Sequence, residues 1–148
     1  SCACVILKTS KKITENFWTN INDHRFSIPG IVEMSNLREL DSHITYVPFY
    51  MPEQHPNYLK SNAKLIKEAW NCIKAINPNL EDKDLISSYC NRYRYAQPVI
   101  GKEYKKTLPP KEPFKRLFTV DTTFYYPEDR GISESIEFGR DLVRKNFE

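Results

Sequence analysis

Apolar positions along the chain follow two periods. Residues 2–8 (CACVILK) form a continuous apolar run with β-branched members, which predicts a buried strand. Residues 26–35 (FSIPGIVEMS) and 43–51 (HITYVPFYM) are predicted strands, each interrupted by a proline. Proline cannot donate to a ladder, so Pro29 and Pro48 are expected at edges or bulges. The connection NLRELDS is short enough for these two strands to pair antiparallel. Residues 84–97 (DLISSYCNRYRYAQ) alternate and are rich in tyrosine, which predicts a strand, and residues 116–126 (RLFTVDTTFYY) are a further predicted strand. Residues 13–25 read as a connection or short helix.

Two stretches switch to helical spacing. Over 57–76, Leu59, Ala63, Ile66, Trp70 and Ile73 make one stripe, flanked by Lys60, Lys64, Lys67 and Lys74. Asn77-Pro78 ends that helix, because proline disfavours helical backbone at the residue before it. Over 131–147, Ile132, Ile136, Gly139, Val143 and Phe147 share a face. Glu134 and Glu137 lie early and Arg144 and Lys145 late, as the helix dipole favours. Gly139 on the apolar face of a helix suggests a close neighbour there. The order of strands, helix, strands, helix predicts an α+β fold with a mainly antiparallel sheet and two principal helices.

Composition narrows the function. The chain has 148 residues, 40% hydrophobic and 28% charged, which fits a globular protein. Its 4 glycines are widely spaced and spell neither GxGxxG nor a Walker loop, so the chain has no glycine-rich phosphate cradle of its own. A net charge of +3 is too mild to argue for nucleic acid. The charge is concentrated in 101–116, where Lys102, Lys105, Lys106, Lys111, Lys115 and Arg116 face only Glu103 and Glu112. That segment is a solvated loop or a patch for an anionic substrate or for another part of a larger protein. Cys2, Cys4, Cys72 and Cys90 show no metal-ligand spacing, alone or with His24, His43 and His55. Buried reduced thiols are expected, which suits a cytoplasmic location. No apolar run reaches the length of a membrane span, and no signal peptide is visible. The chain opens in strand-like sequence without Met, as a fragment would.

Two stretches carry candidate chemistry. In 89–97, alternation would put Tyr93, Tyr95 and Gln97 on one face and Arg92 and Arg94 on the other. Aromatic and guanidinium groups there could stack on a ring and clamp an anion, or simply form a polar outer face. In 125–135 (YYPEDRGISES) a strand end, a polar turn and a helix start follow one another. A helix start offers unpaired N–H groups, and Gly131 admits a close ligand. Asp129 or Ser133 would equally serve there as a plain helix cap. No GxSxG elbow or other catalytic constellation is present, so no catalytic residue is named.

The segment TFYYPEDRGISESIEFGRDLV resembles the closing segment of FAD-dependent amine-oxidase-like flavoproteins. That superfamily includes protoporphyrinogen-oxidase-like proteins and relatives of UDP-galactopyranose mutase in surface polysaccharide and LPS biosynthesis. FWTNINDHRFSIPGIVEMSNL, TYVPFYMP, KAINP and RYAQPV resemble further landmarks in the same order. The resemblance implies residues 1–115 as a substrate-binding domain. It implies 116–148 as a strand and helix returning to the FAD-binding domain. It further implies FAD contacts at Asp121, Asp129, Arg130, Gly131 and Ile132, and a substrate side at Tyr93, Tyr95 and Gln97. The partners it implies are the absent N-terminal dinucleotide-binding half and a small-molecule substrate such as a sugar nucleotide. By itself this part is expected to bind no FAD and to be inactive. The competing expectation is a non-enzymatic module for an anionic glycan or a protein; a homo-oligomer through surface the absent half would cover is a third.

Overall fold

The computed structural model describes residues 1–128 and 130–147. It forms two compact units, residues 1–96 and 97–148. This division rests on compactness, whereas the expected 1–115 and 116–148 division rests on cofactor contact.

The first unit is a five-stranded, wholly antiparallel sheet carrying one long helix. Its strands are β1 (Cys2–Thr9), β2 (Trp18–Asn20), β3 (Gly30–Glu33), β4 (His43–Tyr50) and β5 (Leu85–Tyr93). Their order across the sheet is β2-β3-β4-β1-β5. The apolar run 2–8 becomes the strand between β4 and β5, which is why it is apolar on both faces. Ala3, Val5, Leu7 and Thr9 are fully buried on one face, while Ile6 on the other is half-buried. β3 and β4 pair antiparallel as expected, joined through a single helical turn, α1 (Met34–Leu37). Pro48 lies in an inner strand, but β3 pairs with β4 only at Tyr46 and Thr45. Pro48 therefore has a partner on one side only, Cys4 of β1, and needs no second donor. Gly30 permits the approach of β2, since a Cβ there would meet the Thr19 carbonyl oxygen at 2.8 Å.

Helix α2 (Asn62–Ile76) covers the face carrying Ala3, Val5 and Leu7. It starts later than the periodicity predicts. Residues 52–60 form turns, and the Ser61 hydroxyl accepts from the Lys64 N–H as the cap. The buried stripe is Leu65, Ala69, Cys72 and Ile73 with Trp70 beside it, while Leu59 and Ala63 are exposed. The helical period holds, but its phase is rotated toward Leu65. Ile31, Val47, Phe49 and Leu80 complete the core. The chain is thus α+β, with α2 and a second long helix, α3 (Ile132–Phe147), as its two substantial helices.

Two strand expectations are corrected. β5 ends at Tyr93, and Arg94 and Tyr95 turn away, with the Arg94 guanidinium 5.3 Å over the Tyr95 ring and ion-paired to Glu53 at 2.9 Å. Residues 116–126 form no strand. They hold a short 3-10 turn (Thr122–Phe124) after an isolated bridge between Phe114 and Leu117. A strand needs a ladder partner, and the Asp121 side chain instead accepts from the Thr123 N–H and favours the turn. Within 13–25 the three-residue strand β2 replaces the expected connection or helix.

The second unit is built around helix α3 (Ile132–Phe147). Phe138 stacks on Tyr125 with ring centroids 4.7 Å apart, and Phe147 meets Phe118 edge-on at 5.4 Å. The expected stripe of Ile132, Ile136 and Val143 is exposed. The close neighbour expected at Gly139 is not found, since a Cβ there would meet nothing within 4 Å. Among the described residues no helix is long and apolar enough to cross a membrane.

Candidate functional site

With α2 on one face of the sheet, the opposite face carries a row of side chains in register across all five strands. Ile6 of β1 lies opposite Tyr46 of β4 and Tyr89 of β5. Tyr46 lies opposite Val32 of β3, and Val32 opposite Trp18 of β2. Directly opposed residues project to the same side of a sheet. The row is therefore Tyr89, Ile6, Tyr46, Val32, Trp18. Four strand spacings make it about 19 Å long. Tyr89 is 62% exposed and Trp18 53%, and the middle of the row is half-buried between them. A second row holds Tyr93, Cys2 and Tyr50, with both tyrosines exposed.

Two features fix the chemistry of this face. The Trp18 indole N–H donates to Asn20 Oδ1 at 2.8 Å, which holds the ring in one orientation. Among the strand residues of the face, Lys8 is the only charged one. The surface is thus aromatic, polar at its tips and nearly neutral, suited to flat rings rather than to a polyanion.

Of the three expected substrate residues, Tyr93 lies on this face and is exposed. Tyr95 and Gln97 follow the end of β5 and do not share a sheet face with it. Arg92 is held away from ligand. It donates to the carbonyl oxygens of Tyr58 (3.1 Å) and Lys60 and to the Asn62 side chain, on the α2 side of the sheet. Sequence reasoning missed Trp18 and Tyr46. The alternation within 43–51 and 84–93 contained the signal, but pairing across strands was needed to align them.

The expected cofactor residues lie in the second unit. Asp121 is occupied as a turn cap, its carboxylate accepting from the Thr123 N–H at 2.8 Å and hydroxyl at 2.6 Å. Asp129 lies outside the described residues. Arg130 and Gly131 precede α3, and Ile132 opens it with its side chain 82% exposed. The space over Gly131, where a Cβ would stand, is filled by the Glu134 carboxylate. A carboxylate already sits at the positive end of the helix, so these residues by themselves do not fit a diphosphate.

The basic segment is engaged with its own unit. Lys105 lies 5.9 Å over the Tyr126 ring, Lys111 lies 5.4 Å over Phe124, and Lys106 pairs with Glu103 at 2.5 Å. The four cysteines are free thiols; Cys2, Cys72 and Cys90 are buried and Cys4 is half-buried. Burial pushes the Cys4 and Cys72 thiols up to about 11. Among the described residues, no group of three or more His, Cys, Asp or Glu is placed to hold a metal ion. Comparison with known proteins returns no match to any family model, curated protein or solved structure.

Proposed function

We propose that this chain is the substrate-binding and flavin-capping portion of an FAD-dependent oxidoreductase acting on a small molecule in polysaccharide biosynthesis. The observation that carries the reading is the one-sided sheet. α2 covers one face, and the other presents exposed aromatic side chains in register, the construction of one wall of a substrate chamber. The ordered resemblance of the TFYYPEDRG, RYAQPV and FWTNINDHRF segments to amine-oxidase-like flavoproteins supplies the cofactor. In this reading residues 1–115 bind substrate, and 116–148 belong to the FAD-binding domain. The dinucleotide-binding half of the same protein supplies the diphosphate site that Glu134 precludes here, and this part alone is inactive. Flavin carries the redox chemistry, and this chain orients the substrate. Reduced buried thiols favour a cytoplasmic location.

The test is to purify the protein together with the sequence encoded upstream of residue 1. A yellow protein with a flavin absorbance band is expected, and a colourless preparation of residues 1–148. A colourless longer protein that takes up no added FAD overturns the proposal. It would favour a non-enzymatic module for a glycan or a protein.

A further inference from the structure

We propose that the open face of the sheet binds a saccharide. Tyr89, Tyr46 and Trp18 stack its sugar rings along the row, and Lys8 pairs with one anionic substituent. The inference rests on the reading of this face as a substrate wall and names the ligand class that the wall takes.

The faces of a sugar ring carry C–H groups of slightly positive charge. They pack against the negative π face of an aromatic ring, while the ring hydroxyls need hydrogen-bond partners at the rim. Both requirements are met here. Tyr89 and Trp18 are more than half exposed at opposite ends of the row, with Tyr46 between them. The indole of Trp18 is already fixed by Asn20, which lowers the ordering cost of stacking. The hydroxyls of Tyr46, Tyr89 and Tyr93 and the side-chain amide of Asn91 make no hydrogen bond among the described residues. They are left to serve a polar ligand.

Charge decides between ligands that stack. Single-stranded nucleic acid also stacks on aromatic side chains, but its backbone requires a track of cations. The strand residues of this face offer one, Lys8, opposite Ile44 and Ser87 and two residues along β1 from Ile6. Among the described residues Lys8 has no ion-pair partner. One unpaired cation beside neutral rings complements a sugar chain with an occasional acidic group.

The chain reports binding through its own fluorescence. Trp18 is exposed and Trp70 is 6% exposed, so a ligand on this face perturbs Trp18. The full chain is titrated with maltohexaose, cellohexaose, chitohexaose, a hyaluronan hexasaccharide, acidic only at alternate rings, and a thymidine oligonucleotide. A saturable Trp18 response to at least one hexasaccharide is expected. Tyr89→Ala and Tyr46→Ala each weaken it about tenfold, the scale of one lost ring stack. Lys8→Ala weakens binding of the hyaluronan hexasaccharide alone, and Leu59→Ser, in the exposed turn before α2, changes nothing. Silence toward all four hexasaccharides, indifference to Tyr89→Ala and Tyr46→Ala, or tighter binding of the oligonucleotide overturns the inference. Saccharide binding needs no flavin. A yellow intact protein that ignores saccharides sinks this inference alone, and a colourless one that binds them sinks only the flavin reading.

Discussion

The Ser10 hydroxyl donates to Asp84 Oδ1 at 2.8 Å across 74 residues of sequence. Oδ2 of the same carboxylate accepts from Lys11 Nζ at 3.0 Å and from the Glu81 N–H at 2.9 Å. The Ser10 N–H donates to the Asp84 carbonyl oxygen at 2.9 Å. One side chain thereby ties the end of β1 to the start of β5 and caps the 3-10 turn (Asp82–Asp84) between α2 and β5.

These donors, the Glu81 N–H first and then Ser10 and Lys11, hold the Asp84 carboxyl at about 2, below its ordinary 3.8. A folded-state value below the unfolded one gives stability that is complete above the ordinary value. That stability is lost as pH falls toward the folded value. Asp84→Asn is therefore less stable than the parent at pH 7, and the gap closes between about pH 4 and pH 2. Urea unfolding at three pH values checks it; a gap that persists unchanged at pH 2 contradicts it.

Glu33 is buried in the sheet unit and accepts from the N–H groups of Ile13 and Thr14, each at 3.0 Å, and from the Thr14 hydroxyl at 2.5 Å. It anchors the β1–β2 connection. Glu33→Ala orphans those donors, two of them backbone groups, and should cost about 3 kcal/mol. A shift in urea midpoint corresponding to less than about 0.5 kcal/mol would show that water replaces the carboxylate without penalty.

Gly139 sits in the middle of α3 with open space where its Cβ would be. Gly139→Ala should stabilise that helix by about 0.5–1 kcal/mol. The measurement is the thermal transition followed by far-UV circular dichroism, with the variant melting higher. A variant melting lower reveals a neighbour pressed against this position.

Burial raises all four thiols, with Cys4 and Cys72 reaching about 11. Thiolate is the reactive form, so a thiol reagent at pH 8 should modify the folded protein slowly and the urea-unfolded protein rapidly at four sites. Cys4, only half-buried, should react first in the folded state. Immediate reaction of all four without denaturant would contradict the burial.

Particular elements show how far the sequence reached. The continuous apolar run 2–8 named an inner strand, and the 3.6 period over 62–76 named the covering helix, because both patterns are local. The start of α2 was misplaced by turns at 52–60, whose residues extend the helical spacing backward. The strand expected at 116–126 has β-prone residues such as Phe118, Val120 and Phe124 but no partner to pair with. Tyr93 was legible as an exposed strand residue because it stands in the alternating run. Tyr95 was expected on the same sheet face because no local signal marks where β5 ends.

The α+β class, the two long helices, the lack of a GxGxxG or Walker motif and the aromatic richness of β4 and β5 were determined by the sequence alone. Each depends on residue type and short-range period. The alignment of Tyr89, Ile6, Tyr46, Val32 and Trp18 was decided only in three dimensions. Strand order and register join residues far apart in the chain, and a slip of one residue would send that whole row to the opposite face.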